Sequence, residues 1–370
     1  MEVYVNAFVL LFALAALDVY SGRRSVSRLT LAIGTLILVL LIGLRWETGN
    51  DWAPYLHYYQ ATQSVPSSTY EPGYRLLVWL AQRAGLDYTG FLTLSAAIYM
   101  STFAVVFARF RHPTVLLLLF YCVYLLGFMG TQRQTLALGF TSLAMLKFYD
   151  RKHASGLALV ALATLFHYTA IISVFAIAIP RSRLSFRALA AMLLVAAALY
   201  YFDVVGAFIE YSLNAVVGGG GYLVRRLLVY SAGNDVFLQN TFGPLMELLW
   251  LLKRLALVVV FWLLCARDRP SLDNYLVNLY VLSVVLFLVT YKGVPLIALR
   301  GPLYFAFVEI ALMCLALQRL GGWFRRESLL LIGGALAAAR LYGGIMLYAP
   351  DLYVPYKSVV TSVDYARFTY

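Results

Sequence analysis

The chain has 370 residues, of which 62% are hydrophobic and only 12% charged, and its formal net charge is +12. A soluble domain has roughly 25% charged residues, and a water-soluble fold of this length has too little interior to bury so many apolar side chains. The composition excludes a soluble protein and predicts an all-α polytopic membrane protein in contact with the lipid bilayer. No block of basic residues resembles a nucleic-acid-binding patch, so no nucleic-acid partner is expected.

Apolar runs long enough to span a bilayer, about 17–25 residues each, recur along the whole chain. We predict eleven such crossings, and a shorter, more polar run at 74–85 makes a twelfth if it spans. The whole chain, 1–370, is accordingly predicted to form a single transmembrane domain. The eleven runs are 3–20, 29–44, 91–108, 113–130, 134–149, 155–179, 186–202, 244–266, 275–291, 297–319 and 328–348.

The basic residues of the first loop set the expected orientation, because short cytoplasmic loops are enriched in Lys and Arg. Arg23, Arg24 and Arg28 place this loop in the cytoplasm. A polar segment at 45–74, the outer polar island, then lies on the opposite, outer side of the membrane. Loop charges nearer the C-terminus place the long segment at 203–243 on that outer side as well.

The run at 74–85 leaves two topologies open. If it spans the membrane, the basic loops at 109–111 and 151–152 face outside, against the usual bias. If it re-enters, both loops fall inside, but the apolar run that follows them must break near His167 and return. We favour the re-entrant arrangement because it puts Arg133 on the same side as the outer polar island.

The outer polar island combines carboxylates, an arginine and aromatic rings at the edge of a membrane span. Aromatic faces stack on sugar rings and carboxylates accept hydrogen bonds from hydroxyl groups, so the island has the composition of a sugar-binding surface. The alternative is an interfacial belt of aromatic residues with local ion pairs. The residues predicted to act here are Arg45 toward phosphate, Asp51 and Glu71 as carboxylates that grip sugar or serve as general base, and Trp52, Tyr55 and Tyr74 as substrate-binding aromatics.

Two further positions need an explanation, because ionisable residues within membrane helices are costly. Arg133, followed by Gln134, stands at the start of a helix, where it opposes the helix dipole and so does not serve helix stability. A ligand phosphate or a buried carboxylate would justify it, and a side chain that snorkels to the interface is the alternative. His167 lies deep in a hydrophobic stretch, either as a satisfied core residue or as a general base.

The segment at 203–243 is the largest outer loop. Its first part, 203–217, is predicted to form an interfacial amphipathic helix, and Gly218–Gly221 then provides a hinge. Arg225 follows the hinge, an arrangement that suits a lid over an anionic ligand. An ordinary solvated loop is the alternative.

Two more segments bring polar and positive groups to the outer side. Arg300 and Tyr304 are four residues apart, so one helix face would present both. Tyr356 and Lys357 lie in the C-terminal tail. Guanidinium groups bind diphosphate oxygens bidentately, and Lys acts as a point charge. The predicted diphosphate-binding residues are Arg45, Arg133, Arg300 and Lys357, and further substrate-binding residues are Gln134, Arg225, Tyr304 and Tyr356.

Signatures of other catalytic sites are missing from the sequence. There is no Asp-x-Asp motif for a metal-dependent nucleotide-sugar site, and no Walker, Rossmann or His-Glu-x-x-His pattern stands where it could work. The three cysteines lie inside apolar runs and are expected to be small buried hydrophobes, not zinc ligands or disulfides. No metal and no cofactor are therefore predicted.

Six short motifs occur in order along the chain: Arg45-x-x-x-Gly49-x-Asp51-x-x-x-Tyr55, Glu71-Pro-Gly-Tyr74, Arg133-Gln134-x-x-Ala137, Lys147-Phe, His167-Tyr-Thr-Ala and Pro355-Tyr356-Lys357. Together they resemble the EpsG family of bacterial polysaccharide-assembly membrane proteins, which is related to Wzy-type polymerases. The resemblance is strong from about residue 45 to 170 and weak in the C-terminal third, and it leaves 203–243 unmatched. The order and spacing of the motifs in one polytopic chain make it specific.

The resemblance implies a fold similar to the class C glycosyltransferases and the O-antigen ligases. It also implies a polymerase that joins undecaprenyl-diphosphate-linked oligosaccharide repeat units at the periplasmic face of the bacterial inner membrane, without metal and with the diphosphate lipid as leaving group. A chain-length regulator or a flippase of the same pathway is an expected partner. Three alternatives stay open: a glycosyltransferase that uses a polyprenyl-phosphate sugar, an O-antigen-type ligase, and a flippase or transporter of lipid-linked glycans.

Overall fold

The computed structural model describes residues 1–61, 70–215, 244–265, 268–293, 295–320, 324–347 and 352–360. These residues are mostly helical, and an isolated bridge between Arg45 and Ser358 pairs two extended segments among them. The helices are α1 Glu2–Ser21, α2 Arg24–Gly43, α3 Trp52–Gln60, α4 Pro72–Arg83, α5 Tyr88–Phe107, α6 Pro113–Phe120, α7 Leu126–Met129, α8 Gln132–Tyr149, α9 His153–Phe166, α10 Phe186–Tyr201, α11 Val204–Ala215, α12 Pro244–Leu264, α13 Leu272–Thr290, α14 Pro295–Arg300, α15 Leu303–Ala306, α16 Glu309–Leu320 and α17 Arg325–Leu347.

Six helices within the described ranges are long and apolar enough to cross a membrane, which agrees with the predicted all-α polytopic fold. Four shorter apolar helices of 10–17 residues occupy further predicted spans. The total of eleven or twelve crossings stays a prediction. The long helices are Glu2–Ser21, Arg24–Gly43, Tyr88–Phe107, Leu272–Thr290, Leu303–Leu320 (α15 and α16 with the turn between them) and Arg326–Met346. The shorter ones are Pro113–Met129 (α6, the π-helical segment Tyr121–Leu125 and α7), His153–Phe166, Tyr168–Ala178 and Phe186–Tyr201.

The chain divides into two compact units. Unit 1 comprises Met1–Ile171 and Leu317–Tyr370, and unit 2 comprises Ile172–Ala316. The outer polar island belongs to unit 1, whereas the predicted outer loop at 203–243 belongs to unit 2. The single transmembrane domain stays a prediction.

Unit 1 contains a series of helices packed in chain order: α1 on α2, α2 on α5, α5 on α8 and α8 on α9. Small residues let such helices approach closely. A Cβ atom at Gly34 of α2 would lie 2.7 Å from a methyl group of Leu117 and 3.1 Å from one of Leu11, so a larger residue there would force these side chains of α6 and α1 to move. The hydroxyls of Thr30 and Thr114 hydrogen-bond over 2.8 Å and join α2 to α6.

Helix α4 is too short to cross the membrane. Its 12 residues extend about 18 Å, against a hydrocarbon core of about 30 Å. The loop between α1 and α2 and the loop after α5 line one cavity, to which Arg24, Arg28, Arg109 and Arg111 contribute. Both loops therefore lie at the same end of unit 1. This placement supports the re-entrant arrangement and not a spanning helix at 74–85.

The helix break near His167 that the re-entrant arrangement requires is present. Helix α9 ends at Phe166, and His167 has an extended backbone with φ −154° and ψ 117°. A 3-10 helix, Tyr168–Ala178, follows. Just before the break, α9 packs against the start of α4, since a Cβ atom at Gly73 would lie 2.8 Å from the Leu165 carbonyl oxygen. The break and the start of α4 thus lie at the same end of unit 1.

Unit 2 is organised around α13, which packs against α10, α12, α14 and α15. The sequence predicts a membrane span over 297–319, and a helix of membrane length is present at Leu303–Leu320. The start of the predicted run forms a separate short helix, α14. The interruption follows from Pro302, which has no N–H to donate and disfavours a helical preceding residue. The helix predicted within 203–217 is present as α11, whereas Gly218–Gly221 and Arg225 lie outside the described residues.

Candidate functional site

Arg133, in the first turn of α8, brings together residues from α3 and from the start of α4. Its Nη1 donates to the Glu71 carboxylate, and its Nε donates to the Tyr55 hydroxyl over 3.1 Å. Its guanidinium carbon lies 4.6 Å from the centre of the Tyr70 ring, in a cation–π contact. We define the Arg133 cluster as Tyr55, Tyr70, Glu71, Tyr74, Gln132 and Arg133.

Local sequence explains how Glu71 reaches Arg133. Pro72 occupies the first position of α4, where its missing N–H and fixed φ are favourable, and Glu71 precedes it with extended backbone. The Glu71 side chain is 6% exposed and that of Arg133 is 22% exposed. A buried carboxylate requires a cation, and Arg133 provides it.

The guanidinium of Arg133 has more N–H donors than its two protein acceptors use. Arginine carries five N–H donors in a fixed fork. Among the described residues, the hydrogen bonds of Arg133 are those to Glu71 and Tyr55. The remaining donors are therefore available to an anionic ligand, and the partial exposure of the side chain lets such a ligand reach them.

Tyr55 is a neutral phenol in this setting. Burial raises the pKa of Tyr55, and the Arg133 guanidinium only partly opposes that shift. Because the Tyr55 oxygen accepts from Arg133, its own hydroxyl hydrogen can be donated to a ligand oxygen. Burial also raises the pKa of Tyr70, and Asp51 acts in the same direction on both rings. The second predicted carboxylate thus lies near the Arg133 cluster.

The aromatic residues of the outer polar island pack on one another instead of forming an open platform. Trp52, Tyr55 and Tyr74 are 5%, 3% and 0% exposed. The Trp52 ring packs edge-on against a second tryptophan, with 4.6 Å between ring centres. Within the Arg133 cluster, Tyr70 is the ring that is only partly buried, and so it is the one a sugar could contact in this conformation.

Arg45 occupies a closed, structural position. Its side chain is 0% exposed, and its Nη1 donates to the backbone carbonyl of Met129. Its backbone bridges to Ser358, and the neighbouring Trp46 N–H donates to the Lys357 carbonyl over 2.9 Å. Arg45 therefore joins the end of α2, the region between α7 and α8, and the C-terminal tail. Its Nε and Nη2 are buried without a hydrogen-bond partner among the described residues, and its predicted contact with diphosphate stays a prediction.

Two glycines permit the backbone of the outer polar island to approach the backbone just before α8. Gly49 has φ +99°, a backbone conformation that favours glycine. A Cβ atom at Gly49 would lie 3.2 Å from the Gly130 nitrogen, and one at Gly130 would lie 2.7 Å from the Asn50 nitrogen. The island backbone and the start of α8 can therefore meet only with glycine on both sides.

The two tail residues predicted as ligands have partners within unit 1. Lys357 Nζ lies 2.7 Å from the Glu47 carboxylate in a pair that is partly exposed on both sides. The Tyr356 hydroxyl donates to the Leu41 carbonyl over 2.6 Å. Both contacts tie the tail to the end of α2, and the substrate roles of Lys357 and Tyr356 stay predictions.

His167 is 6% exposed, and its Nδ1 is joined to the Thr169 hydroxyl by a hydrogen bond of 2.6 Å. The contact between Leu165 and Gly73 places this ring at the end of unit 1 that holds the Arg133 cluster. A hydrogen bond at one ring nitrogen orients an imidazole for chemistry at the other. The role of His167 as general base stays a prediction. Gln134, one residue beyond Arg133, is 7% exposed.

The remaining predicted residues belong to unit 2 or lie outside the described chain. Arg300 is the last residue of α14, and Tyr304, in α15, is 0% exposed. The expectation that one continuous helix face presents both is wrong, because the chain is interrupted at Pro302 between them. Arg225 lies outside the described residues.

Sequence reasoning missed Gln132, which is 3% exposed and accepts a hydrogen bond of 3.3 Å from the Tyr74 hydroxyl. It also missed the pair of Lys253 and Glu309 in unit 2, whose charged atoms lie 3.6 Å apart. The signal that could have found all three is the same one that found Arg133. A polar or ionisable residue within an apolar helix is costly and so needs a partner.

Family comparison agrees with the motifs in which the Arg133 cluster lies. The EpsG family model matches residues 28–358, a range that includes the outer polar island, α8, α9 and the described tail up to Ser358. No curated protein and no solved structure gives a significant match. Because the family match covers most of its length, the chain belongs to the EpsG family, a family of Wzy-type polysaccharide polymerases.

Proposed function

We propose that the protein joins undecaprenyl-diphosphate-linked oligosaccharide repeat units at the periplasmic face of the bacterial inner membrane. Membership of a polymerase family supports the reaction class. The observation that carries the finer proposal is Arg133, a partly exposed cation fixed by the nearly buried carboxylate of Glu71. The donor is the growing chain on its lipid diphosphate, and the acceptor is a hydroxyl of an incoming repeat unit.

Arg133 is suited to the departing diphosphate. As the bond from the sugar carbon to the diphosphate oxygen breaks, negative charge grows on the leaving group. A guanidinium that is already oriented can stabilise that charge without reorganising, which is the usual source of large electrostatic effects in catalysis. Glu71 and Tyr55 accept from Nη1 and Nε, and the remaining N–H donors of Arg133 bind the phosphate oxygens.

The hydroxyl of Tyr55 and the ring of Tyr70 complete the binding surface. The Tyr55 O–H can donate to a phosphate or sugar oxygen while its oxygen accepts from Arg133. The Tyr70 ring already lies against Arg133 and is partly exposed, so it can also contact a pyranose face. Asp51, which lies near both tyrosines, accepts hydrogen bonds from sugar hydroxyls in this proposal.

The acceptor hydroxyl must lose its proton as the new glycosidic bond forms. We assign this step to His167, whose ring is oriented by Thr169, with Asp51 as the alternative base. Such a base typically contributes roughly 10²–10⁴-fold to the rate. Glu71 is better suited to orient Arg133, because its carboxylate is already paired with that residue.

The test is polymerisation by the purified full-length protein with lipid-linked repeat unit as sole substrate. A ladder of products supports the proposal, and a requirement for added nucleotide sugar contradicts it. Addition of one sugar from a polyprenyl-phosphate donor would instead indicate a monoglycosyl transferase, and transfer of a finished chain to another acceptor would indicate a ligase. Movement of lipid-linked glycan across vesicles, without glycosidic bond formation in detergent, would indicate a flippase.

The base is identified with two variants in the same assay. His167→Gln removes the proton acceptor and keeps a polar side chain, and Asp51→Asn removes a carboxylate without changing its shape. We expect the larger loss, about 10²-fold or more, for His167→Gln. A larger loss for Asp51→Asn would transfer the role of base to Asp51.

A further inference from the structure

A second polar site lies at the opposite end of unit 1 from the Arg133 cluster. A cavity of about 620 Å³ opens there, a volume typical of small-molecule sites. Helix α2 begins at this cavity with Arg24 and leads to Arg45 at its other end. Its 20 residues span about 30 Å, so the two sites are separate.

The cavity is strongly positive. Its lining includes arginines from α2, from the loop after α5 and from α17. One of them, Arg109, pairs with Asp150 at 3.0 Å, and the other four have no ion-pair partner among the described residues. Positive-inside bias explains basic loops, but not the convergence of three distant segments on one cavity. The arginines are Arg24, Arg28, Arg109, Arg111 and Arg326.

The wall of the cavity also holds polar atoms that lack hydrogen bonds. Asp18 is 0% exposed, and its Oδ2 accepts from the Thr114 N–H over 3.1 Å, but its Oδ1 has no partner. The buried Nδ1 atom of His112 has no partner either. Buried polar atoms are nearly always hydrogen-bonded, so two unpaired ones in the lining of a cavity point to a missing ligand.

The protonation state of His112 is compatible with such a ligand. Burial lowers the pKa of His112, and Arg111 and Arg326 act in the same direction, although Asp18 opposes them. The imidazole is therefore neutral at neutral pH and can form a hydrogen bond with a ligand as donor or acceptor. The positive charge of the cavity comes from the arginines alone.

We propose that this cavity binds a phosphate group with a neighbouring hydroxyl, as in a glycerophosphate. The guanidinium groups bind the phosphate oxygens, and the unpaired oxygen of Asp18 accepts from the hydroxyl. The headgroup of an anionic phospholipid and a soluble glycerophosphate share this chemistry. Either one would tie together α1, α2, the loop after α5 and α17, and would so stabilise unit 1.

The experiment measures the unfolding midpoint of the purified full-length protein, because a ligand that binds the folded state raises it. One arm titrates sn-glycerol 3-phosphate in detergent. The other compares phosphatidylcholine vesicles with and without phosphatidylglycerol. The cavity variant is Arg111→Gln with Arg326→Gln. The matched control is Arg151→Gln with Lys152→Gln, which removes two exposed charges next to Asp150 and outside the cavity.

If the ligand is soluble, glycerol 3-phosphate raises the unfolding midpoint of the wild type and of the control. The cavity variant then requires at least about a tenfold higher concentration of glycerol 3-phosphate for the same rise. A lipid ligand predicts the same contrast for phosphatidylglycerol, with no response to the soluble probe. Equal responses of cavity variant and control in both arms, including no response at all, would overturn the proposal. If the cavity variant fails to fold, Arg24→Gln with Arg28→Gln, both exposed on α2, replaces it.

Discussion

Arg45 and Arg133 belong to the same end of unit 1, yet the structure uses them differently. Arg45 has no exposed surface and donates to a backbone carbonyl, and the chain on both sides of it is fastened to the tail. Arg133 keeps 22% of its side chain exposed and pairs with a carboxylate that holds its position. A fully buried guanidinium joins segments of the fold, whereas a partly exposed one that is oriented by a carboxylate can present its remaining donors to a ligand.

An arginine in a family motif is therefore not necessarily a ligand for the substrate. Both residues begin a short motif, and the sequence assigns diphosphate to both. Only Arg133 has donors that a ligand can reach in this conformation. The following variants test whether Arg45 serves stability and Arg133 serves the reaction.

Arg45→Ala should have the largest effect, and the effect should be on stability. It leaves a cavity and an unsatisfied Met129 carbonyl, so we expect the free energy of unfolding to fall by about 3–5 kcal/mol. The measurement is the unfolding midpoint together with the yield of folded protein. The polymerisation rate per folded molecule should stay near that of the wild type. A variant that folds normally but does not polymerise would make Arg45 a ligand after all.

Arg133→Ala should act in the opposite way, on the reaction and not on the fold. Loss of one oriented donor to developing charge typically lowers the rate about 10²–10³-fold. The measurement is the initial rate of ladder formation, and Arg133→Lys should recover only part of it because Lys cannot bind two oxygens at once. The control is Arg83→Ala, which removes an exposed arginine on α4 outside the Arg133 cluster. Equal rates for the Arg83 and Arg133 variants would refute the role of Arg133.

Glu71→Gln should have a smaller effect on the rate. The amide keeps the shape of the carboxylate and still accepts a hydrogen bond from Arg133, but it loses the charge that fixes the guanidinium. We expect a loss of about tenfold, since a charge-assisted hydrogen bond is roughly twice as strong as a neutral one. Product analysis in the polymerisation assay gives the rate. A loss as large as that of His167→Gln would indicate that Glu71 itself is the base.

Lys357→Ala should have the smallest effect. Lys357 pairs with Glu47 at a site where both side chains are partly exposed, and such pairs contribute at most about 1 kcal/mol to stability. We expect an unfolding midpoint close to that of the wild type and an unchanged rate. A tenfold loss of rate with normal folding would restore the diphosphate role that the sequence assigns to this residue.

Particular elements show what could be predicted. The all-helical membrane fold follows from apolar run lengths and the low share of charged residues. The helix break at His167 and the placement of Arg133 beside the island are expected only for the re-entrant one of the two topologies that the loop charges leave open. The interruption at Pro302 could have been predicted, since a proline inside an apolar run argues against one continuous helix. The hydrogen-bond partner of Tyr74 could not have been predicted, because Gln132 is far from it in sequence and no local sequence feature indicates the contact.

The amino-acid sequence alone identifies a polytopic membrane protein and the polar residues that need a partner. Hydropathy and loop charge are local properties, and a charged residue within an apolar segment can be recognised from the sequence. Which partner each residue has is visible only in the fold. Arg45 contacts the Met129 carbonyl, Arg133 contacts Glu71 and Tyr55, and the arginines at the other end of unit 1 share a cavity. The reason is physical, because solvent access and hydrogen-bond partners are set by segments that meet in space and not along the chain.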